Sequence, residues 1–147
     1  MSEKIKLTSG ELGLISLFQS VSGANAKDCI VDDKLNRVIF IVNKGEMGLA
    51  IGKKGYSIKT LQNLIGKPVE LVENSGDPKE FISNALNSKY IHDIRLTEKL
   101  DGSKICVIVV DHKNKGAAVG KGGRNAEKVR LLAKRYFQIE KIHIVTQ

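Results

Sequence analysis

Two stretches of the sequence decide its fold: Gly48-Leu49-Ala50-Ile51-Gly52-Lys53-Lys54-Gly55 and Gly116-Ala117-Ala118-Val119-Gly120-Lys121-Gly122-Gly123. Each ends in Gly-x-x-Gly, and the second follows the first at an offset of 68 residues, from 48 to 116. The same offset aligns an apolar, strand-like run upstream, residues 37–42 with 105–110. Downstream, each loop is followed by apolar residues at helical spacing. Strand, loop and helix recur together, so the sequence predicts an internal repeat.

Each copy also begins with a predicted helix. Thr8-Ser9-Gly10-Glu11 has the spacing of a capping box and precedes an apolar helical pattern, which predicts a helix from about Ser9 to Ser20. Asp77-Pro78-Lys79-Glu80 offers an N-cap, a proline at the first helical position and an acid at the third. A second helix is therefore expected from Pro78 onward.

Paired β-like runs complete the two copies. Turn residues join 27–32 to 37–42 and 91–98 to 104–110, which favours antiparallel hairpins. A closing strand is predicted at 69–72 in the first copy and at 142–145 in the second. The predicted order is helix, strand, strand, short helix, loop, helix, strand, performed twice. This is a two-layer α+β architecture, with helices on one face of each three-stranded sheet. The predicted domains are 1–75 and 76–147, joined through Asn74-Ser75-Gly76.

Composition and charge narrow the function. Hydrophobic residues make up 41% of the 147 residues and charged residues 27%, as in ordinary globular proteins. The net charge of +8 favours polyanionic partners. No apolar run approaches the ~20 residues of a membrane span, and Met1–Ile5 lacks a secretory signal, so a cytoplasmic location is expected. Cys29 and Cys106 stand singly in apolar runs and are interpreted as core residues, and no cofactor or metal site is predicted.

The loop chemistry suits phosphate. The first glycine can end the short helix in a backbone conformation closed to other residues, and both glycines let a nucleic-acid backbone come close. Unpaired N–H groups and the dipole at the start of the next helix favour an anion there. Lys53 and Lys54 add full charges, whereas the second loop has Lys121, Gly122 and then Arg124.

Enzyme alternatives fit less well. Both glycine-rich stretches are one residue short of the nucleotide-binding P-loop spacing, and Lys54 and Gly122 replace its Ser/Thr. His92, His112 and His143 are scattered and are interpreted as surface or interface residues. The sequence therefore predicts a binding protein and not an enzyme.

The residues Ala50-Ile51-Gly52-Lys53-Lys54-Gly55 and their second copy resemble the Ile-Gly-x-x-Gly signature of KH domains, and the element order resembles the prokaryotic (type II) KH fold. With Asp28-Cys29-Ile30-Val31-Asp32 and the Asp77-Pro78 junction, the chain is similar to the archaeal NusA-like transcription factors. The resemblance implies that each loop clamps about four nucleotides of single-stranded RNA, with bases in an aliphatic groove. The groove would be lined by Ala50, Ile51, Ile58, Val69 and Leu71 in the first copy and by Ala118, Val119, Ala126, Ile142 and Ile144 in the second. For any single one of these residues, ordinary core packing is the alternative. The RNA-binding residues that the resemblance implies are Ile51, Gly52, Lys53, Lys54, Gly55, Tyr56, Lys59, Val119, Gly120, Lys121, Gly122, Gly123, Arg124 and Lys128.

Several functions stay open on the sequence alone. The preferred hypothesis is a single-stranded RNA-binding factor of transcription elongation, termination or antitermination, with RNA polymerase as a possible partner. The alternatives are a ribosome-associated or RNA-processing KH protein, a scaffold that contacts acidic proteins through the basic stretch 113–141, and, ranked last, a nucleotide-hydrolysing enzyme. No membrane or small-molecule partner is predicted.

Overall fold

The computed structural model describes residues 7–86 and 88–147. The chain divides into two compact units, one ending at Asn74 and the next beginning at Ser75. Each unit contains one three-stranded sheet, with an α-helix before its first strand and two α-helices between its second and third strands. The predicted α+β class is therefore confirmed.

The first unit has its central strand between an antiparallel and a parallel neighbour. In chain order it comprises α1 Ser9–Ser22, β1 Ala26–Asp32, β2 Arg37–Val42, α2 Met47–Ile51, α3 Tyr56–Ile65 and β3 Val69–Glu73. β2 pairs antiparallel with β1 and parallel with β3. The predicted first helix is confirmed and extends to Ser22, because Gly23 ends it with a left-handed φ of 76°.

The core of this unit lies between the helices and one face of the sheet. Val38, Phe40 and Val42 alternate along β2, so their side chains point to the same face. They pack with Phe18 of α1, Ala50 of α2 and Leu61 of α3. The rings of Phe18 and Phe40 stack with centroids 4.7 Å apart. The short helix before the first loop is therefore anchored in the core through Ala50, which has no exposed surface.

The second unit repeats this arrangement. It comprises α4 Pro78–Ala85, β4 Ile91–Glu98, β5 Lys104–Val110, α5 Lys115–Val119, α6 Arg124–Phe137 and β6 Ile139–Thr146. β5 pairs antiparallel with β4 and parallel with β6. Asp77 caps α4 as predicted, its carboxylate accepting the Lys79 N–H at 3.3 Å. Among residues 7–86 and 88–147, no helix combines the length and apolarity that crossing a membrane requires.

A buried arginine joins the strands of the first sheet, and the sequence patterns did not single it out. Arg37, the first residue of β2, has no exposed side-chain surface. Its Nε donates to Asp32 of β1 at 2.9 Å, and its Nη1 donates to Glu70 of β3 at 3.0 Å. Buried charges are tolerated when they are paired in this way. The cluster therefore holds all three strands at the sheet end where β2 begins.

Both cysteines have the predicted place. Cys29 and Cys106 are not joined by a disulfide, and both are fully buried. Burial raises the pKa of the Cys106 thiol to about 11. These thiols are core residues of β1 and β5.

Candidate nucleic-acid interface

The two Gly-x-x-Gly loops have the same backbone conformation. Gly52 has φ 78° and ψ 169°, and Gly120 has φ 82° and ψ 160°. The closing glycines agree as well, with φ 76° at Gly55 and 79° at Gly123. Residues with a Cβ rarely adopt these angles, so the loops require glycine at both ends. The prediction that the first glycine ends the short helix in such a conformation is confirmed.

The first glycine of each loop also packs tightly against the helix that follows. A Cβ on Gly52 would lie 2.5 Å from the Ser57 Oγ and 2.8 Å from the Ser57 backbone nitrogen. A Cβ on Gly120 would lie 3.0 Å from the backbone nitrogen of Asn125. Sequence reasoning assigned these glycines to the end of the short helix and to ligand approach. The contacts add a third role, in packing against the next helix, and Ser57 and Asn125 were not predicted to take part.

The backbone N–H groups are used differently from the prediction. The Tyr56 N–H bonds to the Lys53 carbonyl, and the Gly55 N–H bonds to the Gly52 carbonyl at 3.1 Å. The second loop repeats both bonds, with Gly123 N–H to Gly120 at 3.0 Å. Unpaired N–H groups were expected at the start of each helix, and for the first residue of each helix this is wrong, because its N–H is bonded within a 3₁₀ turn. The full positive charges of the loop come from its side chains.

Two side chains of the first loop and two of the following helix α3 line one surface pocket: Lys53, Lys54, Tyr56 and Lys59. Tyr56 is 71% exposed, and the three lysines are exposed. Lys59 leans back toward the loop, because its Cε lies 3.9 Å from the position of a Cβ on Gly55. Within the described residues none of the three ammonium groups forms a salt bridge. The pocket therefore presents three positive charges and one aromatic ring to solvent.

The second loop presents less charge. Lys121 is exposed, whereas Arg124 and Lys128 are half-buried and already engaged in interactions. Glu127 stands where the first copy has Lys59, and its carboxylate accepts a hydrogen bond from Arg130 at 3.1 Å. The matching surface therefore contains an acid in place of a base.

The aliphatic groove divides into buried and accessible positions. Ile51 is 40% exposed, and Val119 is half-buried, so both predicted contact residues reach the surface beside the loops. Other residues expected in the groove are buried in the core: Ala50, Val69, Ala118, Ala126 and Ile142. For these five the alternative of ordinary packing holds. Half-exposed aliphatics remain for a base to contact: Ile58, Leu71 and Ile144.

Polar side chains fix the start of the short helix before the first loop. The Glu46 carboxylate accepts from the backbone and side-chain nitrogens of Asn25 at 2.9 and 3.3 Å. Glu73 accepts the Gly45 N–H at 2.8 Å. These positioning contacts join residues more than 20 positions apart, and no sequence motif predicts them.

The second copy uses a different support at the same place. Asp111, at the end of β5, contacts His92 through one carboxylate oxygen and Asn114 through the other, at 3.4 Å for Asn114. The hydrogen bond with His92 is the main reason why the pKa of Asp111 lies below its ordinary value, and the hydrogen bond from Asn114 acts in the same direction, against the opposing effect of desolvation. His92 therefore has a structural contact, consistent with its interpretation as a surface residue.

Comparison with known proteins identifies the family. Residues 14–76 match the KH domain family. The chain is 37% identical over 141 residues to the "Probable transcription termination protein NusA" of Halococcus morrhuae, covering 96% of this chain and 99% of that one. It is 34% identical over 89 residues to the "Transcription termination/antitermination protein NusA" of Bacillus subtilis, covering 60% of this chain and 22% of that one. The crystal structure of APE1850 superposes with a TM-score of 0.85 at 43% identity, over 94% of this chain and 99% of that one. The chain therefore belongs to the NusA family of KH-domain proteins.

Proposed function

We propose that this chain binds single-stranded RNA through two tandem type II KH domains and acts as a transcription elongation, termination and antitermination factor, without catalysing a reaction. The domains are 1–75 and 76–147. The repeated loop carries the proposal. The φ angle of Gly52 agrees with that of Gly120 within a few degrees, and the φ angle of Gly55 agrees equally well with that of Gly123. Such agreement supports one shared binding device used twice.

The chemistry of the device fits a nucleic-acid backbone. Three exposed lysines around the first loop offer charge to phosphates, and glycine allows close approach. Single strands are favoured because Ile51 and the neighbouring half-exposed aliphatics can contact unstacked bases but cannot read a closed duplex. Tyr56 adds a ring on which a base or sugar can stack.

The biological role rests on the family. The Halococcus relative is named for termination, and the Bacillus relative for termination and antitermination. Nascent RNA leaving RNA polymerase in the cytoplasm is a single strand, which is the ligand that the loops suit. We include RNA polymerase as a partner on this ground.

RNA binding is tested by fluorescence anisotropy with single- and double-stranded RNA of one sequence. The single strand is expected to bind more tightly. The variant Lys53→Asp with Lys54→Asp is expected to lose most of the affinity while keeping its circular dichroism spectrum. Its control is Lys34→Asp with Lys99→Asp, which makes the same change of charge in two exposed hairpin turns. Equal loss in both double variants would show that net charge, and not the loop, binds the RNA.

The transcription role is tested by adding the chain to purified archaeal RNA polymerase on a template with a terminator. The fraction of terminated transcripts is expected to change with the wild-type chain and not with the loop variant. An unchanged fraction with the RNA-binding wild-type chain would contradict the transcription assignment and leave RNA binding standing.

A further inference from the structure

The two loops differ at the one position where a side chain strains the backbone. The third residue of each loop is left-handed, with φ 55° and ψ 27° at Lys54 and φ 65° and ψ 17° at Gly122. Glycine adopts this conformation freely, whereas other L-residues are disfavoured in it. Asn and Asp tolerate it through local hydrogen bonds, but lysine has no such means. The second loop thus has glycine at this left-handed position, which suits the backbone. The first loop has lysine there, a residue for which this conformation is disfavoured.

No polar contact among the described residues compensates for the backbone strain at Lys54. The Lys54 side chain is exposed, and within the described residues it has no salt bridge or hydrogen bond. It lines the surface pocket with Lys53, Tyr56 and Lys59. Strained residues that persist without a structural reason concentrate at binding sites, where the strain presents a group to the ligand.

A second position also has a positive charge in the first copy that the second copy lacks. The fourth residue of the following helix is Lys59 in the first copy and Glu127 in the second. Helical side chains lean toward the N-terminus, so both positions lie near the loop. The proximity of Lys59 to Gly55 shows this directly in the first copy. At these two positions the first copy has lysine where the second has glycine and an acid, whereas Arg124 and Lys128, which the second copy has in the places of Tyr56 and Thr60, are half-buried and engaged in other interactions.

We propose that the two loops divide the work: the first is the principal phosphate-binding site, at the expense of stability at Lys54, and the second is the more stable and weaker site. This inference rests on the proposed RNA-binding function. It makes Lys54 a residue that raises the affinity of the first loop, and Gly122 and Glu127 the residues that hold the second loop at lower affinity.

Reciprocal exchanges test the proposal. Lys54→Gly is expected to raise the melting temperature by roughly 4 °C or more, because the backbone strain is released. It is expected to weaken binding of an RNA oligonucleotide about fivefold at 0.1 M salt and to reduce the salt slope by about 0.7, the contribution of one phosphate contact to a single strand. Gly122→Lys is expected to do the reverse, melting lower and binding more tightly.

Gln138→Gly is the matched control. Gln138 has the same left-handed backbone, with φ 54°, but lies at the end of α6 away from the loop sequence. It should raise the melting temperature like Lys54→Gly and leave RNA affinity unchanged. Should Gly122→Lys fold poorly, Glu127→Lys adds charge beside the second loop without a positive φ and is expected to tighten binding.

The outcomes separate this inference from the function on which it rests. If the wild-type chain binds no RNA, the proposed function fails. If it binds RNA and Lys54→Gly binds equally well, RNA binding stands and the division of work is refuted. Weaker binding by Lys54→Gly together with tighter binding by Gly122→Lys or Glu127→Lys supports the division, and weaker binding by Gln138→Gly as well would refute it.

Discussion

Replacing Gly52 by alanine tests whether the first loop is built as the structure shows. The backbone at Gly52, with φ 78° and ψ 169°, lies in a region that is essentially restricted to glycine. The new methyl group would also lie 2.8 Å from the Ser57 backbone nitrogen. A side-chain rotation cannot relieve that contact, because the atom belongs to the first turn of α3. The loop or the helix start must move.

The expected loss follows from these two terms. Strain in this region amounts to about 1–3 kcal/mol, and overpacking against a fixed neighbour to about 1–3 kcal/mol. Part of each is relieved by relaxation, so Gly52→Ala is expected to lose about 3 kcal/mol of unfolding free energy. For a domain of this size, such a loss lowers the melting temperature by more than about 10 °C. This is a large part of the total stability of a typical domain.

Urea unfolding followed by circular dichroism measures the effect, and two alanine variants calibrate it. A Cβ on Gly48 meets no atom within 4 Å, and its helical φ is ordinary, so Gly48→Ala should be neutral or slightly stabilising. Gly122→Ala also meets no atom within 4 Å but has φ 65°, so it isolates the backbone cost of about 1 kcal/mol. Amide hydrogen exchange in α3 measures local stability beside the first loop, and exchange in α6 measures it beside the second. If Gly52→Ala lost no more stability than Gly122→Ala, the close contact with Ser57 would be refuted.

Three further results are expected. With about three phosphates bound by each loop, log K for single-stranded RNA should fall with log[salt] at a slope of about −4, and a slope near zero in an anisotropy titration would contradict phosphate binding. Arg37→Ala should cost about 3–5 kcal/mol in urea unfolding, because it leaves the carboxylates of Asp32 and Glu70 without their buried partner, and a loss below 1 kcal/mol would contradict the cluster. Because the folded pKa of Cys106, about 11, lies above the ordinary thiol value of about 8.5, its contribution to stability should be present below pH ~8.5 and decline as the pH rises toward 11. Melting curves of the wild type and Cys106→Val should show this as a loss between pH 8.5 and 11 that the variant lacks.

The elements of the fold were predictable because their signals are local. The β-like runs that form β1, β2, β4 and β5, the capping box at Thr8 and the proline after Asp77 are each defined by residues within one turn or one strand. The internal repeat strengthened the prediction, because the elements predicted in one copy recur in the same order in the other. Element ends were less exact, and β6 begins at Ile139, three residues before the predicted strand.

The site was predictable only in part, for physical reasons that concern particular residues. The identity of an aliphatic residue does not distinguish a groove wall from the core, so Ala50 and Val69 were expected beside the RNA although they are buried. The left-handed angle at Lys54 gives no signal in the sequence, because lysine is unexpected there. The glycine at the matching position of the second loop, Gly122, indicates a left-handed angle there, but it applies to Lys54 only once both loops are known to share one backbone conformation. The aligned repeat thus contains information about strain that neither loop contains by itself.

If the proposed function holds, folding and RNA binding use different residues of the same four-residue loop. The glycines satisfy backbone angles, and Gly52 also makes room for Ser57, so a substitution at Gly52 or Gly55 disturbs the loop itself. Within the described residues the side chains of Lys53 and Lys54 form no salt bridge or hydrogen bond, so exchanging them changes charge and, at Lys54, relieves strain. It follows that a glycine variant that loses RNA cannot distinguish a collapsed loop from a lost contact. Lysine variants can, because for Lys54→Gly stability and affinity are expected to change in opposite directions, which no general loss of structure would produce.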